Sequence, residues 1–289
     1  MKSIALLTHS DWPNLSEDDQ LLLEPLKQHD YDPHPVNWDK GEPVWSDYDV
    51  VVIRSAWRYY SNAERYLATV KNIEKAGVPL WNSAHVVKWS MDKHYLFELQ
   101  EKGVTIVPSR LVPQTASFED VQTAVRESDW GDFILKPVFG AGGNGLVRGN
   151  VQNLYGIQED VRQSQHISDL LLQPMMDEVV SDGEYSFIFI GGSYSHTVKK
   201  TTAGFNTGRE EGNGVVINKV DPPEDFIDQA VSMYDALPKP LLYARIDALN
   251  VKGTLHLMEA EINETRLYFS EHPAAVKQFI EALDAQASR

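Results

Sequence analysis

The chain has 289 residues, enough for a sizeable core and about two domains of ordinary size. Its 42 acidic residues against 26 basic ones give a formal charge of −16, which argues against nucleic acid or an anionic membrane as partner. Cysteine is absent, which excludes disulfides, thiolate zinc sites and cysteine nucleophiles.

The opening run MKSIALLT is too short for a secretory apolar region and reads as a buried first strand. No run reaches the roughly 18 apolar residues of a membrane span, so a cytoplasmic location is expected. To about residue 85 short apolar strands (IALLT, VVIRS, VPLWN) alternate with amphipathic stretches (SEDDQLLLEPLKQH, ERYLATVKNIEKAG). That alternation predicts a parallel, layered α/β domain. Its functional rim lies at the carboxyl ends of the strands, near Thr8, His9, Arg54, Ser55, Trp57 and Asn82. A helix over SAHVVKWSMDKHYLFELQEKG stops at Gly103, and a second opens at Ser117 with Asp120 three residues on, close to a capping box. Beyond residue 130 the pattern turns to strands and hairpins: DFILKPV and GLVR around a glycine run, LLLQPMM, EYSFIFIGGSYSHTVKK, and LLYARIDAL with TLHLMEAEIN. The stretch 201–214, rich in Gly, Thr and Asn, reads as a mobile loop.

The glycine run contains Gly140-x-Gly142-x-x-Gly145, with Gly143 between. A dinucleotide turn requires a helix opening directly after the last glycine, and here LVRGNV follows, which is β-like. Two alternatives stay open: a plain turn between strands, or a hairpin whose N–H groups close over nucleotide phosphates with Lys136 supplying charge. The second needs carboxylates that hold magnesium. In ARIDALNVKGTLHLMEAEINET, alternation puts Arg245 and Asp247 on one face, and Glu259, Glu261 and Asn263 on one face of the partner strand. Such oxygens suit Mg²⁺, although in so acidic a chain a solvated hairpin face is the competing explanation.

With DKHYL, ILKPVFGAGGNG, LLLQPMMDE, DGEYS, SHTVKK and ARID…MEAEIN in this order, the chain resembles ATP-grasp enzymes. It is most similar to the glutathione synthetase and ribosomal-protein glutamate ligase branch, which includes the cyclo-ligase that closes O-ureido-serine to cycloserine. The resemblance implies a pre-ATP-grasp parallel α/β domain over 1–85 and an ATP-grasp domain over 86–289. The latter comprises two α+β subdomains clasping ATP, divided near residue 180. Carried over by position, Lys93 and Lys136 correspond to lysines on the ATP phosphates, and Gly140, Gly142, Gly143 and Gly145 to the loop capping them. Gln173, Met175 and Met176 correspond to the adenine hinge, and Glu184 to an acid on the ribose. Lys200, or its neighbour Lys199, corresponds to a base near the transferred phosphate. Asp247, Glu261 and Asn263 correspond to the Mg²⁺ ligands, and Arg245 to the arginine stabilising the reacting states. Several relatives carry an arginine where this chain has Asn206; either Arg209 substitutes for it or the substrate differs. Two Mg²⁺ ions are implied, with Mn²⁺ able to substitute. Arg54, Ser55 and Trp57 are expected to present the substrate, Arg54 as a carboxylate anchor.

The implied function is an ATP- and Mg-dependent carboxylate–amine ligase acting on a small amino acid or peptide through an acyl phosphate. Alternatives are an intramolecular cyclo-ligase of the O-ureido-D-serine type, a small-molecule phosphotransferase and a non-catalytic ATP-binding protein. Homo-oligomerisation is left open.

Overall fold

The computed structural model describes residues 1–202 and 214–287; Arg209 and most of the 201–214 stretch lie outside the described residues. Four parallel strands open the chain, β1 (Lys2–Thr8), β2 (Tyr31–Asn37), β3 (Val50–Ile53) and β4 (Leu80–Trp81), in the order β2-β1-β3-β4. The central strands are apolar over Ile4–Leu7 and Val50–Ile53, where both faces are covered. Ile4, Leu6, Val50 and Val52 share a cluster with Phe279 and Ile280 of the last helix, Ala274–Ala287, whereas Ala5, Leu7, Val51 and Ile53 pack with Tyr66, Val70 and Ile73 of the helix Ala63–Lys75.

The long helix expected over 83–103 is two helices, Ala84–Ser90 and Tyr95–Glu101. In the break Asp92 pairs with Phe139, and the Lys93 backbone donates to the Val138 carbonyl (2.9 Å). The chain is thereby tied to the segment before the glycine run, and Lys93 turns inward.

The next sheet is antiparallel: β5 (Arg110–Val112), β6 (Asp132–Pro137), β7 (Val147–Asn150) and β8 (Leu170–Pro174), in the order β5-β8-β6-β7. Phe133, Leu135 and Leu172 pack under the helices Phe118–Ser128 and Gln158–Gln165 through Val121, Val125 and Val161. The first of these helices opens with a complete Ser117–Asp120 capping box. Lys136 and Gln173 lie on the other face, where Leu171 joins the core of the third sheet.

That sheet comprises β9 (Glu184–Ile190), β10 (Ser193–Thr202), β11 (Val215–Val220), β12 (Tyr243–Val251) and β13 (Thr254–Glu261), antiparallel in the order β11-β10-β9-β12-β13. Every residue of β9 is buried. Tyr185, Phe187 and Phe189 face the helix Glu224–Asp235, and Ile188 and Ile190 face the last helix and the first sheet. The β12–β13 turn is Lys252-Gly253, both at positive φ (53° and 90°), the requirement of a tight two-residue hairpin. Among the described residues no helix is long and apolar enough to cross a membrane.

Candidate active site

Antiparallel pairing sets Arg245 opposite Glu261, Asp247 opposite Glu259 and Ser186, and Lys200 opposite Glu184. Directly opposed residues share a face, so these side chains form one polar field on the face whose other end holds Ile188, Ile190 and Tyr243. Arg245 is the hub. Its Nε and Nη2 each lie 2.8 Å from an oxygen of Asp247, Nη2 also pairs with Glu261, and Nη1 donates to the Arg266 carbonyl (3.1 Å). Asp247 accepts the Ser186 hydroxyl at 2.5 Å. Lys200 Nζ stands 2.6 Å from Glu184 and 3.5 Å from Asp247. Lys199 points the other way, to Asp182 (2.5 Å) and the Tyr185 hydroxyl (3.0 Å). Of the two lysines, then, Lys200 stands in the polar field.

Burial pushes the Asp247 carboxyl up, but the Arg245 and Lys200 cations outweigh it and hold the group well below the usual carboxylate range. Burial and Arg245 push Lys200 down, and Asp247 and Glu184 reverse this, raising it above an ordinary lysine. At the outer corner the balance inverts. Burial raises Glu261, Arg245 pulls it back, and Asp247 and Glu259 leave it at about 7; burial and Glu261 push Glu264 up to about 8. Negative charge at this corner exceeds what the side chains neutralise.

Glu259 closes the field toward the second sheet. Against burial it is lowered by Lys93 and Lys136, and Lys93 Nζ lies 3.3 Å from its carboxylate and 2.5 Å from the Gly140 carbonyl. After Gly145 the chain enters β7 with no intervening helix, which removes the dinucleotide turn. Gly145 (φ 70°) has its own steric reason: a Cβ there would stand 2.8 Å from Ile167 and 2.9 Å from Pro137. Ala141 and Gly142 fold over the end of β13 and with Tyr59, Ser90, Glu259, Glu261, Asn263 and Glu264 line a small, partly open cleft.

The residues expected at the hinge are held by the second sheet and a small apolar cluster. Gln173 is buried and donates to the Ser109 hydroxyl (2.7 Å), Met175 N donates to the Asp132 carbonyl (3.0 Å), and Met176 packs near Val107, Leu249 and Met258. Asn263 accepts the Tyr66 hydroxyl at Oδ1 (2.7 Å).

The expected substrate rim needs correction at Arg54 and Ser55. Arg54 is 0% exposed. Its Nη2 is 2.6 Å from Asp19 and 2.9 Å from the Thr265 carbonyl, and its guanidinium lies over Tyr243 (4.9 Å). Ser55, equally buried, donates to the other Asp19 oxygen (2.6 Å). The short helix Glu17–Gln20 brings Asp19 over the end of β3, so both side chains are used inside the fold. Trp57 remains half-buried at the rim, donating to the Glu264 carbonyl (3.0 Å) and packed edge-on against Trp12.

Three contributors carried no signal in the sequence: Ser186 on Asp247, Tyr66 on Asn263, and Tyr268. The last is buried at positive φ (54°), and its ring has Arg245, Lys200 and Arg266 within 6.0 Å. Among the described residues no three His, Cys, Asp or Glu side chains gather to hold a metal by themselves. Magnesium, however, is ordinarily held by one or two carboxylates plus phosphate oxygens, and the hard, under-neutralised oxygens at the outer corner fit that pattern. The amide oxygen of Asn263 retains a second lone pair beyond the one used by Tyr66.

Residues 4–82 match the family model for the D-cycloserine synthetase DcsG N-terminal domain. The chain is 26% identical to the Cycloserine biosynthesis protein DcsG of Streptomyces lavendulae over 98% of each chain. The crystal structure of D-cycloserine synthetase DcsG superposes with a TM-score of 0.87 at 23% identity, covering 99% of both chains. The D-alanine–D-alanine ligase of Bacillus anthracis in complex with ATP gives 0.71 at 14% identity, covering 100% of this chain and 98% of that one. A RimK domain ATP-grasp protein of Sphaerobacter thermophilus gives 0.72 at 14% identity, covering 96% and 97%. The chain has the fold of these ATP-grasp proteins, a parallel α/β sheet followed by two antiparallel sheets with their helices.

Proposed function

We propose that this protein activates a small-molecule carboxylate with Mg-ATP and joins it to a nitrogen nucleophile, releasing ADP and phosphate. The observation that carries this is the Arg245–Asp247–Glu261 cluster, flanked by Lys200 on one side and Lys93 with the glycine loop on the other. Cations and carboxylates fixed on one rigid face suit phosphoryl transfer, where positioning and charge neutralisation supply most of the rate.

In this proposal Lys93, Lys136 and the N–H groups from Gly140 to Gly145 hold phosphate oxygens. Gln173, Met175, Met176 and Glu184 hold the base and ribose. Asp247, Glu261 and Asn263 hold magnesium, which when bound neutralises charge on the transferring phosphoryl group. The substrate carboxylate attacks the γ-phosphorus, the bond to the ADP oxygen breaks, and Arg245 and Lys200 stabilise the charge that develops. The nitrogen then attacks the acyl carbon, phosphate leaves with the C–O bonding pair, and the departing phosphate takes up the proton that the nitrogen sheds. Arg209 and the 201–214 stretch are proposed to keep water from the acyl phosphate.

One observation favours an intramolecular reaction: the match over residues 4–82 is to the N-terminal domain of a D-cycloserine synthetase, and the likeness to the DcsG relative runs the whole chain. A cyclo-ligase needs one organic substrate, so O-ureido-D-serine alone should trigger ADP and phosphate release. If release instead requires a separate amine, the reaction is intermolecular.

Two substitutions test the assignments. Lys136→Ala should abolish ADP formation, by about 10²-fold or more, while leaving the melting temperature within a few degrees; undiminished turnover would remove Lys136 from the phosphates. Glu261→Gln should shift the magnesium titration of turnover to about tenfold higher concentration, and an unchanged titration would remove it from the metal shell.

A further inference from the structure

The segment leaving β13 is fixed to an unusual degree. Three consecutive carbonyls are each held by a donor side chain from elsewhere. Tyr243 donates to Asn263 O (2.7 Å), sharing the proton with the Ile53 carbonyl, Trp57 Nε1 donates to Glu264 O (3.0 Å), and Arg54 Nη2 donates to Thr265 O (2.9 Å). The buried Arg54 and the rim residue Trp57 thus act on this segment's backbone. Glu264, set in the middle of it, lines the cleft with Tyr59, Ser90 and Asn263. Among the described residues its carboxylate pairs with no other side chain and is bonded only by its own backbone N–H, in contrast to Asp247, Glu259 and Glu261. The same cleft wall holds a second unmet group: Asn263 is 4% exposed, and its Nδ2 donor is buried without a partner.

A half-buried acid that no other side chain meets keeps unused acceptor oxygens on a rigid backbone, and a charge-assisted hydrogen bond to an ammonium is the strong way to meet them. An adjacent unpaired N–H donor suits a substrate oxygen. Resting on the ligase reading above, we propose that Glu264 binds the protonated amino group of an amino-acid substrate, with Asn263 Nδ2 donating to a neighbouring substrate oxygen. Glu264 is thereby a specificity-determining residue that selects amino acids over carboxylic acids lacking the amine. It serves the organic substrate, whereas Glu259 and Glu261 serve the phosphate end of the cleft.

The test is calorimetric titration of O-ureido-D-serine, and of its counterpart lacking the α-amino group, into protein loaded with magnesium and a non-hydrolysable ATP analogue. For wild type the amine-bearing compound should bind and the other should not. Glu264→Gln should weaken the amine-bearing compound about 100-fold, with the Kd of the ATP analogue and its magnesium dependence unchanged. Glu264→Asp should recover part of the loss, which a folding defect would not. Equal binding by wild type and Glu264→Gln would overturn the inference while leaving the ligase reading standing. A raised magnesium requirement in Glu264→Gln would overturn it by moving Glu264 into the metal shell. If wild type binds neither compound, the substrate reading falls and the inference with it.

Discussion

Arg245→Met is expected to lower the rate of ADP formation by about 10³-fold or more and to destabilise the fold. Arg245 is 5% exposed and sits between Asp247 and Glu261, so its loss leaves two carboxylates facing each other with only Lys200 nearby. Removing one partner of a buried ion pair ordinarily costs about 3–5 kcal/mol, because the remaining charge stays uncompensated. The two effects separate in Arg245→Lys. The ammonium restores charge, and with it much of the stability, but cannot present Nε and Nη2 to both carboxylates at once, so the rate should stay low. Melting curves and single-turnover ADP release read the two quantities independently. Arg245→Lys with near wild-type turnover would show that charge alone, without the fork, is what the site uses.

The second large effect concerns stability alone. Arg54→Met should cost about 3–5 kcal/mol, lowering the melting temperature by roughly 10 °C, since it strands Asp19 at 2% exposure with only Ser55 as a side-chain donor. Pairing it with Asp19→Leu should recover much of the loss, because an apolar pair of similar volume carries no desolvation penalty. The Thr265 carbonyl would still lack its donor, so recovery should be incomplete. A melting temperature within two degrees of wild type, together with a large loss of substrate binding, would return Arg54 to the role of carboxylate anchor.

Arg54 also shows where sequence reasoning stops. Its place at the end of β3 was legible from the VVIRS strand, and in a parallel α/β layer strand ends form the functional rim. What covers one particular strand end is a tertiary fact: Asp19 comes from a short helix whose sequence, SEDDQLLL, reads only as acidic and amphipathic. The C-terminal hairpin was far more legible. Alternation alone placed Arg245 with Asp247, and Glu259 with Glu261; the register set by the tight turn at Lys252-Gly253 would by itself put the two pairs on opposite faces, and the one-residue irregularity next to Asp247 brings them to one face. Lys93 lay between. Helical periodicity ran through DKHYL without interruption, yet the backbone of Asp92 and Lys93 is claimed by Phe139 and Val138, partners far along the chain. The choice between Lys199 and Lys200 was undecidable for a related reason, since a register irregularity between Tyr194 and His196 sets which lysine of β10 meets Glu184. Tyr268 could not have been found, because nothing in its local sequence announces a bulky residue at positive φ beneath three cations.

The most direct measurement is phosphorus NMR of the protein with Mg-ATP, with and without O-ureido-D-serine and with a pool of amino acids and dipeptides. Substrate-dependent conversion of ATP to ADP and inorganic phosphate, with no phosphorylated organic product accumulating, is the predicted result. AMP with pyrophosphate would contradict transfer of the γ-phosphoryl group to the carboxylate, and a stable phosphorylated product would make the protein a phosphotransferase instead.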